Sequence, residues 1–176
     1  MKKSVLLAFA AAALLAVSTV YVHAADADSM PTVGEAAPTF TLPSQTGAKI
    51  SLKSYRGKWV VLYFYPKDMT TGCTIEAHNF QNSLSQFKAK HAVILGVSVD
   101  STDSHKQFCA KDGLTFHLLA DTDHKVVSAY GSLGEYSGVS IANRNTFLIN
   151  PKGKIEKVWV KVNPRTAASD VLSALP

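Results

Sequence analysis

The sequence predicts a single α/β domain: a mixed central sheet, parallel at its centre and antiparallel at one edge, with helices on both faces. Three observations predict it. Residues 59–65 (WVVLYFY) and 93–99 (VILGVSV) are nearly unbroken apolar runs, the pattern of strands buried on both faces of a parallel sheet. Between them Ala77, Phe80, Leu84 and Phe87 recur at helical spacing, which completes a β-α-β unit. Near the end Val158, Val160 and Val162 alternate with Lys157, Trp159 and Lys161, as in an antiparallel strand with one wetter face.

The elements follow in order. Lys2 and Lys3 precede an apolar run at 5–17, and Val22-His23-Ala24 offers a cleavage site; residues 1–24 are therefore expected to be a signal peptide and the protein exported, to the periplasm. The alternative, an uncleaved anchor, asks for a longer apolar span than this one, which is followed by polar Ser18 and Thr19. Residues 25–32 are small and polar and read as a flexible leader. From 33 to 176 no linker or repeat interrupts the chain. Residues 39–42 and 49–52 flank a turn at Gly47, a small hairpin. The β-α-β unit comes next, followed by two helices at 102–111 and 123–130. Residues 145–149, the turn Asn150-Pro151-Lys152-Gly153 and residues 155–162 form a second hairpin. A helix at 164–175 starts at Pro164 and closes the chain. This is the thioredoxin-like plan.

Composition narrows the function. With 47% hydrophobic and 18% charged residues the 176-residue chain has an ordinary globular balance. The net charge of +5 falls to about +3 once residues 1–24, with two lysines and no acid, are removed. The remaining lysines are scattered, which argues against nucleic-acid and membrane-surface partners. His78, His91, His105, His117 and His124 show no helical ligand spacing, and no glycine-rich loop follows a strand. Neither a metal nor an organic cofactor is expected.

Two cysteines remain, Cys73 and Cys109. In an exported protein such a pair is by default a structural disulfide. The surroundings of Cys73 point elsewhere. A buried strand ends at Tyr65, since Pro66 cannot donate to a ladder, and Gly72 permits a turn into a helix that begins near Cys73. The sulfur then lies in a first helical turn, where unpaired amides and the helix dipole favour the thiolate. Thr70, three residues earlier, reads equally as a helix N-cap and as a hydroxyl aimed at the thiolate and an incoming oxygen. A dithiol exchange centre would carry C-x-x-C here, whereas this chain has Thr-x-x-Cys. One thiolate suffices to cleave an O–O bond and become a sulfenic acid.

The pattern Pro66-x-x-x-Thr70-x-x-Cys73 resembles the active-site signature of the peroxiredoxins. The longer string YFYPKDMTTGCT is similar to the subgroup of bacterioferritin comigratory protein, or peroxiredoxin Q. The likeness runs from VGEAAP at 33–38 through RNTFLI at 144–149 to the end. The resemblance implies that Pro66 shields the sulfur, that Thr70 bonds thiolate and peroxide, that Cys73 is the peroxidatic cysteine, and that Arg144 is the active-site arginine. Taken alone, Arg144 reads as a surface ion-pair partner. Glu76 matches the family string and reads as a first-turn acid with a contact to that arginine.

Three departures accompany the likeness. Many members carry a resolving cysteine five residues after the peroxidatic one, where this chain has His78. Others place it on the next helix, and Cys109 in SHKQFCAKDGL fits that branch. Many have proline where Thr71 stands. The resemblance thus implies a thiol peroxidase acting on hydrogen peroxide and organic hydroperoxides, recycled through a Cys73–Cys109 disulfide by a thioredoxin-like dithiol. Cys109 alone reads as a core cysteine. No dedicated interface or resolving arm is visible, so a monomer is expected. The rival readings are an exported disulfide oxidoreductase on the same scaffold and a non-catalytic domain stapled by the two cysteines.

Overall fold

The computed structural model describes residues 29–176, so the expected signal peptide and the first part of the leader, 25–28, lie outside the described residues. Within the rest of the leader, Pro31 is buried and Met30 packs against the core, so the ordered domain reaches back past residue 33.

The central sheet has five strands: β3 (Trp59–Phe64), β4 (Ala92–Ser98), β5 (His117–Ala120), β8 (Thr146–Ile149) and β9 (Ile155–Trp159). Their order is β5-β4-β3-β8-β9. β3 pairs parallel with β4 and β4 with β5, while β8 runs antiparallel to both β3 and β9. The two apolar runs are the two innermost of these parallel strands, and Val60 to Phe64 are at most 2% exposed. Burying each such side chain stabilises the fold by about 1.5–3 kcal/mol. A small hairpin, β1 (Thr41–Pro43) with β2 (Lys49–Ser51), precedes the sheet.

The helices are α1 (Thr71–Asn82), α2 (Leu84–Ala89), α3 (Thr102–Asp112), α4 (Lys125–Ala129) and α5 (Ala167–Leu172). One apolar cluster, on the side of α1, α3 and α5, is lined with aromatic rings: Tyr63 stacks on Phe80 at 4.7 Å and on Tyr65 at 5.4 Å. The other lies towards α4 and includes Tyr130 and Phe147.

Several elements differ from the sequence-based expectation. The helix expected across 77–87 breaks at Ser83 into α1 and α2. Strand β5 was not expected: HLLA is four residues long, without a β-branched side chain, and becomes a strand only because it pairs with β4. A further ribbon, β6 (Leu133–Tyr136) with β7 (Val139–Ala142), turns at Ser137 and Gly138, both at positive φ, an S-G hairpin signal masked by flanking strands in which Ala142 alone is buried. The last helix is shorter than 164–175.

Both edges of the sheet are met by the first part of the chain. On β5, Ser44 bridges Leu119, and the Gln45 side chain donates to the Phe116 carbonyl (3.0 Å) and accepts from the Leu118 amide (3.1 Å). At the start of β9, Ala36 bridges Lys154, and the Ile155 amide donates to the Glu35 carbonyl (2.8 Å).

Candidate active site

Strand directions bring three segments to one end of the sheet. Because β3 and β4 are parallel, the chain leaves both at the same end, so the loop from Tyr65 to Thr70 meets the start of α3. Because β8 is antiparallel to β3, with Tyr63 opposite Thr146, the residues before β8 also lie there. The bond from the Phe64 amide to the Asn145 carbonyl (2.8 Å) fixes this position for Arg144.

Between β3 and α1 the chain turns sharply, with Met69 at φ +58°. Pro66, half-buried, ends the ladder of β3. Thr70 is the N-cap residue, with extended φ and ψ of −81° and 150°. Its hydroxyl does not cap the helix: it donates to the Lys67 carbonyl at 3.0 Å, which the tight turn brings into reach, so that its proton is not given to the sulfur. Thr71 is exposed in the first turn of α1. The first bond of the helical ladder runs from the Thr74 amide to the Thr70 carbonyl (2.9 Å), which leaves the amides of Thr71, Gly72 and Cys73 without a partner inside the helix.

Cys73 is 1% exposed and a free thiol. Arg144 Nη2 donates to its sulfur at 3.3 Å, and Nη1 pairs with Glu76 Oε2. Glu76 sits one turn below Cys73 and is fully buried. Burial pushes its carboxyl up to about 7, against the pull of the Arg144 guanidinium. Asn145 steadies the arginine's segment: its side chain donates to Ser132 Oγ (3.0 Å) and accepts from the Lys161 amide (3.1 Å). The helix dipole, the free amides and the guanidinium all place positive potential around one sulfur.

Cys109, also a free thiol, lies on α3, half-buried against the cluster that contains Cys73. Burial, with the Asp68 charge adding to it, pushes its thiol up to about 11. His78 is exposed and lies 3.1 Å from Asp112 at the end of α3. Asp68, Ser104 and His105, which no sequence motif singles out, form a buried polar cluster between the Cys73 loop and α3. Nothing in the spacing of 68 and 105 announces it, since the pairing exists only through the sheet. Among the described residues no group of three or more His, Cys, Asp or Glu side chains is arranged to hold a metal, and no helix is long and apolar enough to cross a membrane.

A buried thiol at a helix N-terminus, met by an arginine on a thioredoxin-fold sheet and lacking a C-x-x-C partner, defines a thiol-dependent peroxidase. Comparison with known proteins gives the same class. The AhpC/TSA family pattern matches residues 33–158. Peroxiredoxin Bcp of Bacillus subtilis is 41% identical over 150 residues, covering 81% of this chain and 94% of that protein. Its namesake in Escherichia coli is 38% identical over 133 residues, covering 72% and 83%. Among solved structures, a PrxQ mutant from Xylella fastidiosa superposes with a TM-score of 0.79 at 37% identity, covering 84% of this chain and 96% of that one. Bacterioferritin comigratory protein from Xanthomonas campestris, described for its alkyl peroxide reduction activity, gives 0.76 at 38% identity, covering 82% and 97%. The chain belongs to the AhpC/TSA family and is a peroxiredoxin of the Bcp or PrxQ kind.

Proposed function

We propose that Cys73 is the peroxidatic cysteine of an exported, periplasmic, monomeric peroxidase that reduces hydrogen peroxide and organic hydroperoxides and is recycled through a disulfide with Cys109. The observation that carries this reading is the 3.3 Å contact of Arg144 with the Cys73 sulfur at the start of α1. The thiolate attacks the terminal peroxide oxygen and the O–O bond breaks. The departing oxygen takes a proton and leaves as water or an alcohol, while the sulfur, oxidised by two electrons, becomes a sulfenic acid. Arg144 and the amides of the first turn of α1 stabilise charge developing on the oxygens. Pro66 screens the sulfur, and Thr70, on rotating from Lys67, offers its hydroxyl to the peroxide. Glu76 orients the guanidinium.

Cys109 then displaces hydroxide from the sulfenic sulfur, and an external thioredoxin-like dithiol reduces the resulting disulfide by exchange. The cycle needs no metal or organic cofactor, and no nucleic acid or membrane takes part. Organic hydroperoxides are included because the Xanthomonas relative is described as reducing alkyl peroxides. Export rests on Lys2, Lys3, the apolar run and Val22-His23-Ala24.

The test is peroxide consumption by the purified protein with a thioredoxin-like reductant, beside insulin reduction. Turnover lost in Cys73→Ser, with no insulin reduction by the wild type, supports the reading. Turnover retained in Cys73→Ser rejects it. N-terminal sequencing of protein from the periplasmic fraction should begin near Ala25; soluble cytoplasmic protein that keeps Met1 rejects export.

A further inference from the structure

Of the buried ionisable groups near this site, the peroxidatic chemistry leaves Asp68 unused; it is 4% exposed, on the loop between β3 and α1. It touches neither Cys73 nor Arg144 through any hydrogen bond of the site. Its Oδ1 accepts from the Tyr65 hydroxyl (2.7 Å). Its Oδ2 accepts from Ser104 Oγ (2.7 Å) and faces His105 Nδ1 at 2.7 Å. Its own amide donates to Asp100 Oδ2 (2.9 Å), which also accepts from Ser98 Oγ (2.8 Å). One carboxylate therefore ties the Cys73 loop to the first turns of α3.

The helix it holds is the helix of Cys109. Ser104 and His105 lie in the turn before Cys109, and His105 is fully buried, with no partner for Nε2. Without Asp68 the whole imidazole would be buried with only the Tyr65 hydroxyl, 3.3 Å from Nδ1, beside it, an arrangement a folded interior tolerates poorly. The start of α3 is thus secured by Asp68 rather than by apolar packing alone.

Resolution makes its own demand on this helix. The two cysteines are free thiols on separate helices, and a disulfide demands Cα atoms within about 7 Å and a specific torsion. A half-buried thiol held protonated by burial and by the Asp68 charge is also a poor nucleophile.

We propose that Asp68 is a positioning residue for the resolving step: it latches α3 through Ser104 and His105, and release of that latch sets how fast Cys109 reaches oxidised Cys73. This rests on the pairing of Cys73 with Cys109. In the step itself the Cys109 sulfur bonds to the sulfenic sulfur, the S–OH bond breaks, and the hydroxide leaves as water with the thiol proton. The Cys109 thiol is oxidised and the sulfenic acid reduced. A slow latch lengthens the life of the sulfenic acid and exposes it to a second peroxide, which drives it to sulfinic acid.

The experiment compares wild type with Ser104→Ala, which removes one bond to the carboxylate and keeps the fold, and with Asp68→Asn. Rapid mixing with one equivalent of peroxide measures attack and then disulfide formation, and mass spectrometry after excess peroxide measures the sulfinic fraction at Cys73. Both variants should form the disulfide faster, on the order of tenfold for the loss of one charge-assisted hydrogen bond, with a smaller sulfinic fraction and attack within about twofold of wild type. Should Asp68→Asn fail to fold, Ser104→Ala alone decides. Unchanged disulfide formation in a folded variant overturns the latch, as does a loss of attack and resolution by the same factor. Absence of any Cys73–Cys109 linkage in wild type overturns the pairing itself, and the latch with it.

Discussion

Arg144 and Cys73 are 71 residues apart in the chain, yet the guanidinium lies 3.3 Å from the sulfur. Neither helix propensity nor a turn motif brings them together. The antiparallel register of β8 on β3 does, since it sets Arg144, two residues before β8, beside the loop that leaves β3. The same guanidinium pairs with Glu76 on the helix of Cys73, so its position is determined from two sides.

Arg144→Ala should therefore slow the attack on peroxide without unfolding the protein. Loss of one group that stabilises developing charge typically costs on the order of 10²-fold in rate. Stopped-flow measurement of the first oxidation of Cys73 checks this, and an unchanged rate shows that the arginine is only an ion-pair partner.

Gly72 tests the geometry more finely. A Cβ at this position would stand 3.3 Å from Arg144 Nη2 and 4.0 Å from the Pro164 ring. The guanidinium, held by Glu76, has to shift by a few tenths of an ångström next to the sulfur. Gly72→Ala should keep or raise the melting temperature, because alanine favours a helix over glycine by up to about 1 kcal/mol, while attack slows several-fold. Unimpaired attack would mean that the arginine's fine placement is immaterial.

Cys109→Ser separates the two halves of the cycle. The first equivalent of peroxide should be consumed at the wild-type rate, but turnover with a dithiol reductant should collapse and Cys73 accumulate as sulfenic and then sulfinic acid. Mass spectrometry of the oxidised protein reads this directly. Undiminished turnover makes Cys109 a packing residue and the enzyme a one-cysteine peroxidase.

The Glu76 carboxyl, raised by burial from an ordinary 4.5 to about 7, makes stability depend on pH. The folded state holds this proton more tightly than the unfolded chain. Its contribution is complete below about 4.5 and is lost as the pH rises through about 7. Urea unfolding of the reduced protein at several pH values from about 5 to 8 should show wild type losing on the order of 2 kcal/mol that Glu76→Gln does not lose. Parallel pH profiles for the two proteins contradict the assignment.

What is legible in the sequence is whatever local pattern encodes. The apolar runs of β3 and β4 announce buried parallel strands, and Pro66 announces the strand end from which Cys73 is delivered to a helix start; the turn expected at Gly72 falls instead at Met69, and Gly72 is already helical. β5 is illegible because HLLA carries no strand signature of its own and is ordered by its neighbour. The Thr70 hydroxyl escapes for a similar reason: spacing shows that threonine precedes the helix, but the acceptor it finds, the Lys67 carbonyl, depends on the left-handed backbone at Met69. The Asp68 cluster lies further out of reach, because its members meet only across the parallel β3–β4 junction.

The bridges from Ala36 to Lys154 and from Ser44 to Leu119 tie the first part of the ordered chain to strands that are made much later. A ribosome releases residues 34–45 ahead of every strand of the central sheet, yet their partners on β5 and β9 do not exist until most of the domain has emerged. During synthesis the edges of the sheet stay open, with amides and carbonyls available to any other extended chain. Closing them is a late and long-range event, slow relative to pairing within the sheet. Residues made before the sheet are thus the last to be fastened to it, and until they are, the nascent domain is at its most vulnerable to pairing with a second copy of itself.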